Sequence, residues 1–126
     1  MAFDDLDDSA LRNARDRIAE AALTTARLIA AERLSSAIGA GAPDPETVVS
    51  VLLARDPADD RYDLLRGFEQ RWALMVIKLL EPVTNPAAAI RDARLRGVTI
   101  SSIADLLGIA SQTVYQRYGD QIIVNR

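Results

Sequence analysis

Residues 99–119, TISSIADLLGIASQTVYQRYG, decide the fold of this 126-residue chain. Thr99 is a good amino-terminal cap for a helix over residues 100–107. Gly108 can end that helix, because glycine adopts the left-handed backbone conformation that other side chains penalise. A second helix over residues 111–118 follows after a short connection. The stretch therefore predicts two packed helices joined by a tight turn.

The packing of these two helices needs small and apolar residues at fixed places. Ala104 is small enough to let the helices approach closely. Apolar side chains then fill the wedge between them: Ile103, Leu107, Ile109 and Val114. On these residues the stretch resembles helix-turn-helix regulators, and residues 113–119, TVYQRYG, are similar to the end of the recognition helix in the tetracycline-repressor family. The resemblance implies a transcription regulator that binds double-stranded DNA.

Two features differ from the tetracycline-repressor pattern. In that family the motif precedes a large ligand-binding domain, whereas here it lies at the carboxy-terminal end of the sequence. The resemblance therefore does not imply drug sensing for this chain. Whether a small-molecule effector binds is left open by the sequence. Ala110 stands where such motifs commonly have a serine cap, and we expect Ser111 to cap the last helix instead.

A further helix is expected just before the pair. Asn85 followed by Pro86 is a good helix start, and Gly97 is a good helix stop. Residues 86–96 should therefore be helical. With this addition, residues 85–126 form a predicted three-helix helix-turn-helix domain.

The amino-terminal part begins with an unusually long helical pattern. Residues 9–38 contain no glycine or proline, and apolar residues recur at helical spacing: Leu11, Ala14, Ile18, Ala21, Ala22, Leu28 and Ile29. One helix of that length would reach roughly 45 Å, more than so short a chain can cover. We expect part of it to pack on another subunit. The alternative is an ordinary amphipathic helix folded back on its neighbours.

Two more helices complete residues 1–84. Asp44 is a candidate cap with Pro45 at the first position of a helix over residues 45–54. After a linker at residues 55–60, a helix over about residues 58–80 carries Phe68 and Trp72 at core spacing. These aromatics are expected in the core, with a ligand pocket as the alternative. The predicted fold is all-α.

The composition argues against catalysis. The chain has no cysteine and no histidine, which removes thiolate metal sites and the commonest general base. The acidic pairs Asp4–Asp5, Asp7–Asp8 and Asp59–Asp60 lack a ligand loop and are expected to be solvated or helix-start charges. We expect no enzyme activity, no cofactor and no metal site. The sequence also predicts no signal peptide and no membrane span, and hence a cytoplasmic protein at the nucleoid.

The charge distribution favours the carboxy-terminal part as the DNA-binding end. The chain has a net charge of −3, but residues 1–84 hold ten basic against fifteen acidic residues, whereas residues 85–126 hold five arginines against three aspartates. We expect the helix over residues 111–118 to enter the major groove. Its candidate DNA contacts are Ser111, Gln112, Thr113, Tyr115, Gln116 and Arg117. Thr99 and Ser101 are candidate phosphate contacts, to which Arg91, Arg94 and Arg96 could add. The alternative for these arginines is that they are solvated charges on an exposed helix face.

The sequence therefore predicts a sequence-specific transcriptional regulator, repressor-like and dimeric. The homodimer is expected to form through residues 9–80 and to read two half-sites about 34–36 Å apart or a multiple of that spacing. The alternative is a protein-protein interaction module, related to polymerase or sigma-factor binding or to toxin binding, that uses the same helices without reading bases.

Overall fold

The computed structural model describes residues 7–81, 83 and 85–122, and all regular structure within these residues is helical, which confirms the all-α prediction. Seven α-helices follow one another: α1 (Asp8–Ile38), α2 (Pro45–Ala54), α3 (Asp60–Leu65), α4 (Glu69–Leu80), α5 (Ala87–Leu95), α6 (Ile100–Leu107) and α7 (Ser111–Ile122). A 3-10 turn, Arg66–Phe68, joins α3 to α4.

Acidic residues begin three of these helices. Asp7 caps α1 by accepting the Ala10 N–H at 2.7 Å. Asp44 caps α2 by accepting both the hydroxyl and the N–H of Thr47, and these hydrogen bonds hold the pKa of the Asp44 carboxyl below its ordinary value.

Asp59 caps α3 and also binds the guanidinium of Arg61 at 2.9 Å, which lowers the pKa of the Asp59 carboxyl. Asp7 and Asp59 are thus helix-start charges, as expected for members of the acidic pairs. Asp4 and Asp5 lie outside the described residues.

The prediction of one helix over residues 58–80 is wrong. The side chain of Asp56 accepts the Ala58 N–H at 2.9 Å, so the backbone turns there and α3 begins only at Asp60. The helix is then interrupted by the 3-10 turn, which contains Gly67, a residue with low helix propensity. α4 continues as a separate helix.

The centre of the core lies between α1 and α4. Trp72 is fully buried, and its indole N–H donates to the main-chain carbonyl of Arg27 at 3.1 Å. α1 also packs on α2, while α4 packs on α5 and α6. Trp72 is therefore a packing residue, as the core spacing predicted.

A buried arginine joins the amino-terminal helices to the carboxy-terminal ones. The side chain of Arg96 is 1% exposed and donates to Glu69 Oε2 at 2.6 Å, to the Leu52 carbonyl at 2.8 Å and to Asp92 Oδ2 at 2.9 Å. Its guanidinium also lies 5.1 Å from the ring centre of Trp72. The expectation that Arg96 contacts a DNA backbone is therefore wrong, because the side chain is enclosed and bonded.

The carboxylate of Glu69, which pairs with Arg96, has further polar partners of its own. Tyr62 donates its hydroxyl to Glu69 Oε1 at 2.9 Å, and Arg55 lies 3.5 Å from Glu69 Oε2. One hydrophobic core cluster spans the helices on both sides of this pair. The division of the chain at residue 84, which itself lies outside the described residues, stays a prediction.

α1 buries only part of its apolar surface. Its buried residues lie in its second half: Ala26, Ala30, Ala31 and Leu34. Ile18 remains 67% exposed, although it belongs to the predicted apolar pattern. In the described part of the chain, no helix is both long and apolar enough to cross a membrane.

Replacing Arg96 by methionine should strongly destabilise the fold. Glu69 would remain buried without its main partner, and breaking a buried ion pair costs about 3–5 kcal/mol. Urea unfolding measures the change. Arg91→Met, at an exposed arginine of the preceding helix α5, is the control and should stay within about 0.5 kcal/mol of the parent.

The double variant Glu69→Met/Arg96→Met should lose less stability than Arg96→Met alone, because no unpaired charge remains buried. Equal unfolding free energies for Arg96→Met and Arg91→Met would contradict the structural role of the pair.

Candidate nucleic-acid interface

The last three helices form a compact arrangement around a shared apolar centre. α7 packs on both α5 and α6. The buried side chains at this centre come from all three helices: Ile90, Ala93, Ile100, Ile103, Ala104, Val114 and Ile122. Tyr118 is partly buried against the same cluster, as the sequence predicted. The arrangement fixes the position of α7 relative to the body of the protein.

The turn between α6 and α7 has the geometry that the sequence predicted. Gly108 adopts φ 71° and ψ 31°, the left-handed conformation that favours glycine. The Ile109 N–H donates to the Ala104 carbonyl at 3.1 Å, which closes the end of α6. Ala104 itself is buried. A small residue at this position lets α6 and α7 approach closely.

The beginning of α7 differs from the prediction. The N–H groups of Thr113 and Val114 donate to the main-chain carbonyl of Ala110, so Ala110 occupies the capping position. Ser111 is the first helical residue and not the cap, which corrects the expectation.

The end of α7 also differs from the prediction. The helix continues through Gly119 to Ile122, whereas the sequence favoured a stop after Tyr118. Ile122 is buried four residues after Tyr118, so packing continues the apolar stripe and outweighs the low helix propensity of glycine. The longer helix adds Asp120 and Gln121 to α7.

Most of the predicted base-reading residues share the outer side of α7. Gln112 and Gln116 are exposed, while Val114 is fully buried on the opposite side. Arg117 is exposed on the flank of the helix, three residues after Val114. Thr113 is partly buried, at the edge of the exposed side. Ser111 and Tyr115 are exposed as well, and Tyr115 retains 55% of its surface.

The beginning of α6 presents hydroxyl groups to solvent. Thr99 caps the helix by accepting the Ser102 N–H at 3.1 Å, and it donates its own hydroxyl to Ser102 Oγ at 2.9 Å. Ser101 is exposed beside it. Because Ser102 accepts from Thr99, its own hydroxyl proton can point outward. Sequence reasoning missed Ser102, although its position three residues after the cap was a usable signal.

The basic side chains near these helices differ in their exposure and in their hydrogen bonds. Arg94 is partly buried and donates to the Val98 carbonyl at 3.1 Å, which ties it to the connection between α5 and α6. Arg91 is exposed. Lys78 of α4 is exposed too, and its ammonium lies 3.4 Å from the Leu106 carbonyl at the end of α6. Lys78 was not predicted, since nothing in the local sequence connects α4 with α6.

The comparisons with known proteins give no match: no family model, no curated protein and no solved structure matches this chain.

Within residues 7–81, 83 and 85–122, acidic side chains do not gather in groups of three or more that could hold a metal ion.

Replacing Ala104 by leucine should destabilise the protein by about 1–3 kcal/mol. The larger side chain would push α6 away from α7, because Ala104 is 2% exposed and overpacking forces the surroundings to shift. Thermal and urea unfolding measure the loss. Asp105→Leu, at the neighbouring exposed position, is the matched control. A stability of Ala104→Leu equal to that of the control would mean that the two helices are not closely packed here.

Proposed function

We propose that this chain is a sequence-specific transcriptional regulator that reads the DNA major groove with α7. The observation that carries the proposal is the exposed side of α7. Gln112 and Gln116 are exposed on the side of the helix opposite the buried Val114, and Arg117 is exposed on its flank. A helix with a fixed inner side and a row of hydrogen-bonding side chains outside has the form that major-groove recognition requires.

The side chains of α7 suit recognition of base edges. A glutamine can bind the N6 and N7 positions of adenine, and an arginine can bind the O6 and N7 positions of guanine. Gln112 and Gln116 lie one helical turn apart, so both can reach neighbouring bases. Ser111, Thr113 and Tyr115 flank them and supply hydroxyl groups for bases or phosphates.

Phosphate contacts would come from the residues around α7. Exposed hydroxyl groups at the start of α6, on Thr99, Ser101 and Ser102, lie next to main-chain N–H groups of a helix end that favours anions. Arg94 and Arg91 add positive charge on α5. These groups bind any DNA sequence and orient the protein, whereas α7 selects the sequence.

A dimeric, repressor-like regulator at the nucleoid is the form of this function that we favour. One α7 offers few base contacts, and two copies related by a two-fold axis double the contact area on a palindromic site. The exposed apolar surface of α1 supports pairing through the amino-terminal helices.

A protein-binding role is the second candidate. Asp120 is exposed one turn after Gln116, and Asp105 is exposed on α6. Carboxylates in these places repel phosphates but would suit a basic protein surface, such as one on a polymerase subunit or a toxin. Loss of specific DNA binding in the experiments below would favour this role.

Binding to DNA should weaken by about 100-fold or more between 50 and 200 mM salt, because arginine contacts with phosphates release counterions. Fluorescence anisotropy with a labelled duplex measures the affinity. Arg91→Ala should reduce the salt dependence, since one phosphate contact fewer is made. An affinity that hardly changes with salt would contradict the assignment of the arginines.

Gln112→Ala and Gln116→Ala should each reduce the binding free energy for the preferred duplex by about 1–3 kcal/mol, because they remove base contacts. The binding free energy for random DNA should change little. The preferred duplex is first obtained by selection from a random library. Arg94→Ala should weaken binding to all sequences alike.

Gln121→Ala is the matched control for the glutamine variants. Gln121 lies on the same helix, but its side chain accepts a hydrogen bond from Asn85 at 3.2 Å. The glutamine variants could lose the same binding affinity for preferred and for random DNA while their unfolding temperatures stay unchanged. That result would show that α7 does not read bases.

A further inference from the structure

α1 has a second apolar face that its own chain leaves uncovered. The core face contains the buried Ala26, Ala30 and Leu34. The other face lies on roughly the opposite side of the helix, given about 100° per residue. It consists of Leu11, Ala14, Ile18, Ala21, Thr25 and Leu28, none of which is buried. We call this set the second face of α1.

The residues of the second face follow the spacing of a coiled coil. Successive members are three, four, three, four and three residues apart, which is the a and d pattern of a heptad repeat. Ile18 lies near the middle of this face and, at 67%, is more exposed than Ile29, the other exposed isoleucine of α1. A repeat of this kind is typical of a helix that packs along another helix.

The surface beside the second face is apolar too. A groove of about 330 Å³ lies between α1 and the end of α4, and its lining includes Ala21, Thr25, Ile29, Leu79 and Val83. Ala21 and Thr25 belong to both surfaces, so the groove and the second face are continuous. Together they form an apolar area that runs along most of α1.

We propose that α1 packs antiparallel against α1 of a second copy of this chain, with Ile18 opposite Ala21 of the partner subunit. In this register Leu11 lies opposite Leu28 of the partner subunit, and Ala14 lies opposite Thr25 of the partner subunit. Every residue of the second face is then paired, since each pairing occurs twice around the two-fold axis. The bulky Ile18 meets a small alanine, so the two helices can approach closely at their centre.

The shape of the chain favours the antiparallel direction. Residues 8–25 of α1 contain no buried side chain, whereas the rest of the protein packs around the second half of the helix. In an antiparallel pair, the uncovered half of each α1 lies along the covered half of the other. In a parallel pair, the helices packed around the second half of α1 would lie at the same end of the dimer in both copies. The uncovered first halves would then lie next to each other at the other end.

The charges favour this register over a neighbouring one. An antiparallel shift by one heptad towards the amino termini would bring Arg15 next to Arg15 of the partner subunit, and Arg17 next to Arg17 of the partner subunit. In the proposed register Arg15 lies beside Ala22 of the partner subunit, and Arg17 comes close to Glu20 of the partner subunit. The arginines of the two copies are separated and an arginine comes close to a glutamate, which favours this alignment of the helix pair.

This inference specifies the dimer of the proposed function, but it depends on α1 alone and can be tested without DNA. The chain has no cysteine, so introduced cysteines report contacts without background. Leu11 and Leu28 are about 25 Å apart along one helix, too far for a short bismaleimide to join within one chain.

The double variant Leu11→Cys/Leu28→Cys should therefore form covalent dimers with the bismaleimide at micromolar concentration, whereas each single variant should not. Covalent dimers of both single variants would show a parallel pair and overturn the proposal. Leu11→Cys/Ala21→Cys tests the register shifted by one heptad and should react poorly. Absence of covalent dimers in all variants would overturn the proposal.

A second measurement uses Ile18→Glu, which places a charge at the centre of the interface. Sedimentation equilibrium should show a dimer for the parent and an increase of at least about 100-fold in the dimer dissociation constant for the variant. Because Ile18 is exposed in the monomer, circular dichroism should show an unchanged helix content. Asn13→Glu, exposed on another side of α1, is the control and should remain dimeric.

A parent protein that is monomeric at micromolar concentration, or an Ile18→Glu variant that dimerises like the parent, would overturn the proposed pair. A dimer that forms the expected cross-links but binds no DNA would instead contradict the proposed function and leave the pair intact.

Discussion

The buried pair of Arg96 and Glu69 is the interaction on which the rest of the structure depends. It connects α4 with the end of α5, and the same guanidinium also holds the Leu52 carbonyl at the end of α2. A buried charge is tolerated only when it is paired and hydrogen-bonded, and here both groups are. The pair therefore fixes helices α1–α4 to the three helices that carry the candidate DNA surface. A displacement of α2 or α4 would also displace α5.

The helices whose ends carry strong local signals could be predicted from the sequence. Asp44 with Pro45 marks the start of α2, and Thr99 and Gly108 mark both ends of α6, because each acts through a hydrogen bond or a backbone conformation within a few residues. The exposed side of α7 could also be predicted, since helical spacing places Gln112 and Gln116 opposite Val114. Local chemistry was sufficient in these places.

Other features depend on contacts between distant parts of the chain and could not be predicted. Arg96 looks like a surface arginine in the sequence, and its burial follows only when Glu69 and Leu52 are brought to it. The position of Lys78 next to α6 has the same origin. Gly119 remains inside α7 because Ile122 finds a place in the core, so tertiary packing outweighs the local preference of glycine to end a helix.

The hydrogen bond between Trp72 and the carbonyl of Arg27 has a consequence for synthesis of the protein. It joins residues 45 positions apart, and α1 has its main packing partner in α4. During translation, α1 therefore leaves the ribosome well before α4, its main packing partner. Until α4 emerges, apolar surface of α1 stays open, and the nascent chain is most prone to aggregate in this interval.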